Sequence, residues 1–381
     1  MKSVGRIVCL LLIFSFIATA APGTAASALA ESVGYYAYRQ SASGNDPVFT
    51  DDPVDDPTDD PAEDSDDTTD ESVAAYPPER NWQSGTLPPS GGRRVVPERS
   101  FSVDLHYNPN VIFHGRFYVE ATSVSRYINA LGTLQERYPE TIRVFNLLVP
   151  SHVEFLPERY SADVAKQRGP IDNINYWLGA RGVIPVEAYD ILAERASTEY
   201  LYFRTDHHWT ALGAYYAYIA FTRAAGLEPI NIYNYTEFAI PNFIGSYVTN
   251  TPSRAVLNSP DTLYYYRLNN GTTFSRSLFS RASGGYRLFL GGDHDLLDFT
   301  SSNKNGRTLI VIKDSYANAF IPWAAPHYER IVVIDPRHYK GGISRFLRNS
   351  AEADVDVLFL SSANTPSYPG YVSSMARITG A

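Results

Sequence analysis

The chain has 381 residues, 44% of them hydrophobic, and a formal net charge of −9. That length and apolar content support one large folded domain or two small ones and exclude global disorder. No segment clusters basic with aromatic residues, which argues against nucleic acid as a partner.

The first 30 residues place Lys2 and Arg6 before an apolar run over residues 7–21, followed by small residues with A-x-A spacings. This is the pattern of a secretory signal, and the run is shorter than the roughly 20 residues a bilayer span takes. Residues 1–30 are therefore expected to act as a signal peptide, and the protein to be exported to the cell envelope or beyond. The single cysteine, Cys9, lies inside this segment, so the exported chain has no thiolate nucleophile, disulfide or cysteine-based zinc site. Residues 31–100 read as a linker. Within it, residues 46–71 hold 13 Asp and Glu and no Lys or Arg, more negative charge than the whole chain's net, so the remainder is net positive. A D-D-P-x repeat buries no apolar area and repels itself, which predicts an extended solvated spacer; calcium binding or wall spanning is the functional alternative.

Residues 101–381 are read as the catalytic domain. "NVIFHGRFYV" (110–119) predicts a strand pair around Gly115. Val124, Tyr127, Ile128, Leu131 and Leu134 recur at helical spacing until Pro139. "IRVFNLLVP" (142–150) is a continuous apolar strand of the kind buried in a parallel sheet. Helices are predicted at "IDNINYWLGARG" and "VEAYDILAERA", then a short strand "YLYF" and a helix from Thr210 that stops at Gly226. Residues 230–300, rich in Tyr, Asn, Gly and Ser, read as an insertion with one strand, "DTLYYYRL". Strands at 307–313, 329–335 and 354–362 alternate with helices from Ser315 and near "GISRFLRN". Alternating strands and helices imply a three-layer α/β/α sandwich with a mainly parallel sheet. Sites in such sheets gather beyond the carboxyl ends of the strands, which would bring "LVPSH", "RTDHHW" and "KDSYAN" together.

Three chemistries compete for "RTDHHW": a metal site, the base half of a hydrolase triad, or a knot of satisfied polar groups. In an extended segment residues i and i+2 share a side, so Asp206 and His208 can lie together while His207 faces away. A carboxylate beside an imidazole fixes its tautomer and stabilises the imidazolium formed when it takes a proton from serine. Ser315, at a strand–helix junction, reads equally as a helix cap or as a nucleophile near unpaired N–H groups. No H-E-x-x-H and no second His cluster accompanies the segment, so no metal and no cofactor is expected.

The segments "YFRTDHHWTALGAYYAY", "FIGSYVTN" and "LIVIKDSYANAFIPWAAPHYERIVVIDPRHY" closely resemble the bacterial family named for its D-H-H-W signature, related to the alginate O-acetylation proteins of the SGNH hydrolase-like group. The resemblance implies an SGNH hydrolase-like fold and an exported O-acetyltransferase or acetylesterase acting on polysaccharide, with a membrane-bound O-acyltransferase as a possible partner. It assigns Asp206, His208 and Ser315 as the triad. A glycan-binding or assembly role without catalysis is the alternative. Two departures stand out: Lys313 replaces the glycine of a G-D-S block, and Asp293 in "LGGDHDLL" stands where relatives often carry Asn. The backbone N–H of Tyr316 and the side chain of Asn318 are candidate oxyanion donors. Trp209 is a candidate packing or sugar-stacking residue, and Arg204, Lys313 and Arg337 are candidate anion-binding or ion-paired groups.

Overall fold

The structure is a computed structural model in which residues 119–156, 166–247, 257, 260–347 and 354–381 are described. The signal segment, the acidic linker and nearly all of the strand pair expected at 110–119 lie outside the described residues. Among the described residues, no helix is long and apolar enough to cross a membrane.

Among the described residues, eight strands and seven α-helices follow one another as α1 (Ala121–Arg137), β1 (Ile142–Val149), α2 (Arg168–Gly179), β2 (Ile184–Pro185), α3 (Tyr189–Arg195), α4 (Ala211–Ala225), β3 (Tyr235–Phe243), β4 (Asp261–Leu268), β5 (Leu296–Thr300), β6 (Thr308–Lys313), α5 (Ile321–Ala324), β7 (Arg330–Ile334), α6 (Ser344–Leu347), β8 (Val355–Ser362) and α7 (Pro369–Thr379). Six strands form one sheet in the order β2-β1-β8-β6-β7-β5. All its pairings are parallel except the edge pair β5–β7.

Strand side chains alternate between faces, and two separate cores result. Phe145, Leu147, Val311, Val333 and Leu358 pack with α4 and α5 on one face. Val144, Leu148, Ile310, Val332 and Val357 pack with α1, α2 and α7 on the other. This is the three-layer sandwich that the apolar runs predicted. Both faces being covered explains why β1, β6 and β8 read as unbroken apolar runs rather than as alternating ones.

Helix α4 is the element that carries the base segment. Thr210 caps it, its hydroxyl accepting from the Gly213 N–H at 3.2 Å. Gly226 ends it in the left-handed region at φ 67°. Gly213 lies so close to the chain before the helix that a Cβ there would come within 2.5 Å of the Leu201 carbonyl.

Three expectations need correction. "YLYF" is not a sheet strand: Tyr202 forms a single antiparallel bridge with Trp209, because residues 201–210 fold back on themselves and the Thr210 N–H donates to Leu201 O at 2.8 Å. Ser315 opens a 3-10 turn, Ser315–Ala319, rather than a regular helix, and its cap is Asp314. The insertion supplies more than one strand: β3 pairs with β4 in a two-stranded antiparallel sheet, and β5 joins the main sheet at its edge. One extra residue between Ile240 and Phe243, with Asn242 at φ 61°, bulges β3. The chain leaving that strand runs as Gly245 and Ser246 against the base segment.

Candidate active site

The base segment is anchored from below by Asp261, the first residue of β4, whose side chain is buried. Its carboxylate accepts from the Thr205 N–H at 2.8 Å, the Thr205 hydroxyl at 2.6 Å and the Arg204 Nε at 3.0 Å, and also from the Tyr200 hydroxyl. With the backbone held there, the next residue, Asp206, points up at His208. Asp206 Oδ1 accepts from the backbone N–H of His208 at 2.9 Å and lies 2.6 Å from its Nδ1. Asp206 Oδ2 accepts from the Ser246 N–H at 2.8 Å. On the far side of the ring, His208 Nε2 lies 2.7 Å from Ser315 Oγ. An unbroken chain of hydrogen bonds thus runs from carboxylate through imidazole to hydroxyl.

The packing around this chain is close. A Cβ on Gly245 would come within 2.2 Å of Asp206 Cβ, so only glycine lets the Gly245–Ser246 strip reach the carboxylate. Asp206 and His208 are buried, while Ser315 is partly open to solvent. Burial by itself would raise the Asp206 carboxyl. The imidazole of His208, the neighbouring His207 and the Ser246 amide outweigh it and hold Asp206 well below the usual carboxylate range. The carboxylate therefore stays ionised throughout the range in which a histidine exchanges protons.

The Ser315 turn is tied to the segment Arg204–Trp209 in both directions. Trp209 Nε1 donates to Tyr316 O at 2.8 Å, and the Tyr316 hydroxyl donates to His207 O at 2.5 Å. Trp209 is fully buried. Its role is to lock the segments together, and it offers no face to a sugar.

His207 does not face away as strand alternation predicted. Residues 204–208 form a bend, and the two imidazoles lie 3.8 Å apart with a 37° tilt. His207 Nδ1 contacts the Ser246 hydroxyl at 2.7 Å. Asp206, His207 and His208 each bring one potential metal-ligand atom within 4.8 Å of the others. Both ring nitrogens of His208, however, are already engaged by Asp206 and Ser315.

Of the expected oxyanion donors, the Tyr316 N–H is taken up within its own turn, and Asn318 Nδ2 spends one of its two N–H groups on Asp293. The Tyr316 N–H donates to Asp314 Oδ1 at 2.9 Å, and Asn318 Nδ2 donates to Asp293 Oδ1 at 2.9 Å. Asp314 also accepts from the Ser362 N–H and the Thr365 hydroxyl, which fastens the turn to the end of β8. The charged candidates are paired in the same way. Arg204 is bound to Asp261 and to the Pro260 carbonyl. Lys313 is 1% exposed, with Nζ 2.5 Å from Asp293 and 3.4 Å from Asp335. Arg337 bridges the same two carboxylates at 2.7 and 2.6 Å. A buried ammonium is tolerated only with counter-charges in contact. Lys313 in place of glycine and Asp293 in place of Asn are thus one paired departure rather than two.

Sequence reading missed three residues that shape this site: Asp261, Ser246 and Tyr286, whose ring stacks on His208. Asp261 had a local signal in the acidic residue heading "DTLYYYRL". Ser246 lay within the quoted segment "FIGSYVTN", which marked the stretch but not the contact, and Tyr286 had no signal, since it acts across more than seventy residues of intervening chain.

A profile of the DHHW protein family matches residues 116–334. The chain belongs to the DHHW family. It is 30% identical to a DHHW family protein from Eubacterium siraeum, with a TM-score of 0.61 over 68% of this chain and 89% of that one. Bacillus cereus PatB1, solved with a sulfonyl adduct, is 18% identical, with a TM-score of 0.53 over 67% of this chain and 92% of that one. The O-acetyltransferase domain of Pseudomonas putida AlgJ also matches, at 14% identity and a TM-score of 0.38 over 76% of this chain and 92% of that one. No curated protein matches the chain. The fold of this DHHW protein is a three-layer α/β/α sandwich with a mainly parallel sheet.

Proposed function

We propose that this DHHW protein is an acyl-transfer enzyme that moves O-acetyl groups on an exported polysaccharide, with Ser315 as nucleophile, His208 as general base and acid, and Asp206 as the group that orients His208. The observation that carries the reading is the continuous Asp206–His208–Ser315 hydrogen-bond chain ending on a solvent-accessible hydroxyl. Geometry and roles rather than chain order define such a triad, so base residues preceding the serine are no obstacle.

Ser315 Oγ attacks the acetyl carbonyl as His208 Nε2 takes its proton, and the developing imidazolium is stabilised by the ionised Asp206. The tetrahedral intermediate collapses, its C–O bond to the donor breaks, and His208 protonates the departing oxygen. An acetyl ester remains on Ser315. A sugar hydroxyl then gives its proton to His208 and attacks that ester, yielding an acetylated sugar and free serine; water in its place yields acetate. The acetyl group and the polysaccharide are inferred from the resemblance of the three motif segments to the alginate O-acetylation proteins. Export by the first 30 residues and supply of acetyl groups by a membrane-bound O-acyltransferase belong to the same proposal.

The test is turnover of a chromogenic acetyl ester by wild type and Ser315→Ala, with mass spectrometry of the trapped acetyl-enzyme. Ser315→Ala is expected to lose activity on the order of a millionfold, because triad members act as one unit. Its stability should change by about 1 kcal/mol, the worth of one hydrogen bond. Full activity in Ser315→Ala would defeat the proposal, and absence of turnover and of any adduct in wild type would favour glycan binding without catalysis.

A further inference from the structure

The geometry points to Tyr286 as a positioning residue that holds the His208 ring in its working orientation and stabilises its protonated form, an inference that rests on the Ser315 reading above. The two rings are stacked with centroids 3.8 Å apart and planes only 4° from parallel. Tyr286 comes from the insertion, far from both motif segments in sequence, on a 3-10 turn spanning Gly285–Leu288. Gly284 and Gly285 both adopt positive φ, 65° and 52°, to turn the chain there. Phe203 and Phe289 pack edge-on against the tyrosine ring at 6.3 and 5.3 Å. Its hydroxyl donates to Tyr316 O at 3.3 Å, the carbonyl that Trp209 also binds. Tyr286 thus touches the base and the nucleophile turn at once, and it is itself held rigidly.

Two consequences follow from a face-to-face stack. Both ring nitrogens of His208 must stay in line, one with Asp206 and one with Ser315. A rotation about the bond to the ring would break both contacts, and the parallel tyrosine face blocks it sterically. When His208 accepts the Ser315 proton it becomes a cation lying over an electron-rich aromatic face, an attraction absent from the neutral ring. An interaction that strengthens as the transition state forms raises kcat rather than substrate affinity. The ionisable groups facing His208 are Asp206 and His207 from its own segment, Tyr316 from the nucleophile turn and Tyr286 from the insertion. Burial, with Asp206, Asp314 and Asp293 adding to it, pushes the Tyr286 phenol well above its ordinary range, so the ring stays neutral.

The experiment compares wild type, Tyr286→Phe, Tyr286→Met and Ser315→Ala on the chromogenic acetyl ester, with kcat taken per mole of protein judged folded by near-ultraviolet circular dichroism. Tyr286→Met fills the space without an aromatic face, and kcat should fall about ten- to thirtyfold with KM within about twofold. Tyr286→Phe keeps the face and should stay within about threefold of wild type, the hydroxyl making one long hydrogen bond. A Met variant with wild-type kcat, a change confined to KM, or a Phe variant as slow as the Met variant would overturn the inference. In each of those cases inactivity of Ser315→Ala leaves the triad reading standing. Activity in Ser315→Ala would bring down both.

Discussion

At the carboxyl edge of the sheet Asp206 contacts one imidazole that leads on to the Ser315 hydroxyl, whereas at the amino edge Asp356 accepts from Arg143 Nε at 2.8 Å, Arg307 at 3.0 Å and the Tyr328 hydroxyl at 2.6 Å. Both carboxylates are buried. Asp356 is ringed by groups whose own chemistry ends with it, two guanidiniums that do not lose protons and a phenol held neutral. Its hydrogen bonds join the starts of β1, β6 and β8 and stop there. Asp206 faces an imidazole, a group that can both give and take a proton, and beyond that group stands a hydroxyl open to solvent. Burial and good hydrogen bonding therefore do not distinguish the carboxylate of the proposed triad from a structural one. What distinguishes them is whether the next atom in the chain can change its proton count and reach a substrate.

The sharpest way to break this contrast is to remove the histidine. His208→Ala should lower ester turnover on the order of a millionfold, like Ser315→Ala, since the triad acts as a unit. His207→Ala should leave kcat within about tenfold, because its ring contacts the Ser246 hydroxyl and lies outside the Asp206–His208–Ser315 chain. Equal losses in both variants, measured on the same ester, would mean that the two imidazoles work together and that the carboxyl-edge cluster is not a simple triad.

The complementary change at the amino edge should move stability and spare chemistry. Asp356→Ala leaves two guanidiniums without their shared partner and should cost about 3–5 kcal/mol of unfolding free energy. Activity per folded molecule should stay near wild type. Denaturant melts beside steady-state kinetics check this, and a loss of kcat without loss of stability would erase the distinction between the two edges.

A smaller effect concerns pH. Burial pushes His152 and His327 down to about 4. The Tyr218 hydroxyl accepts from the Ile230 N–H and lies 2.6 Å from His327 Nε2, so the neutral ring has a hydrogen-bond partner in its buried place. In the unfolded chain both histidines bind a proton near pH 6.5. Between about pH 6.5 and about 4 the unfolded state thus holds more protons, and stability falls as pH falls through that window. The change should be on the order of 1 kcal/mol once solvent screening of partly exposed rings is allowed for. Urea melts from pH 7.5 to 4.5 should show it, and His327→Gln should flatten the slope; an unchanged slope would contradict the account. Asp206 runs the same way in a lower window: its depressed carboxyl contributes stability that is lost only as pH falls below about 4.

Much of the frame was legible in the chain. The apolar runs at β1, β6, β7 and β8 announced buried parallel strands, and the spacing from Val124 to Leu134 announced α1, because burial on both faces leaves a local pattern. The D-x-H spacing pointed to two residues that lie together, by an incomplete argument. Asp206 and His208 do meet, through a bend in which the carboxylate also accepts the His208 N–H, and the same bend brings His207 close instead of turning it away. The half-exposed β3 and the short edge strand β5 carried too weak a pattern to be found.

By itself, then, the sequence determined the layered fold and the family and singled out Asp206, His208 and Ser315, since each leaves a signature in residue type and short-range spacing. The tertiary structure alone decided which groups serve those residues. Asp261 under the base segment, the Gly245–Ser246 strip on Asp206, Tyr286 over His208, and the pairing of Lys313 with Asp293 all join residues at least twenty positions apart. The reason is physical: a hydrogen bond or a ring stack is set by a few ångströms and a few tens of degrees, and over such separations those are fixed by packing of the whole chain and by nothing written locally.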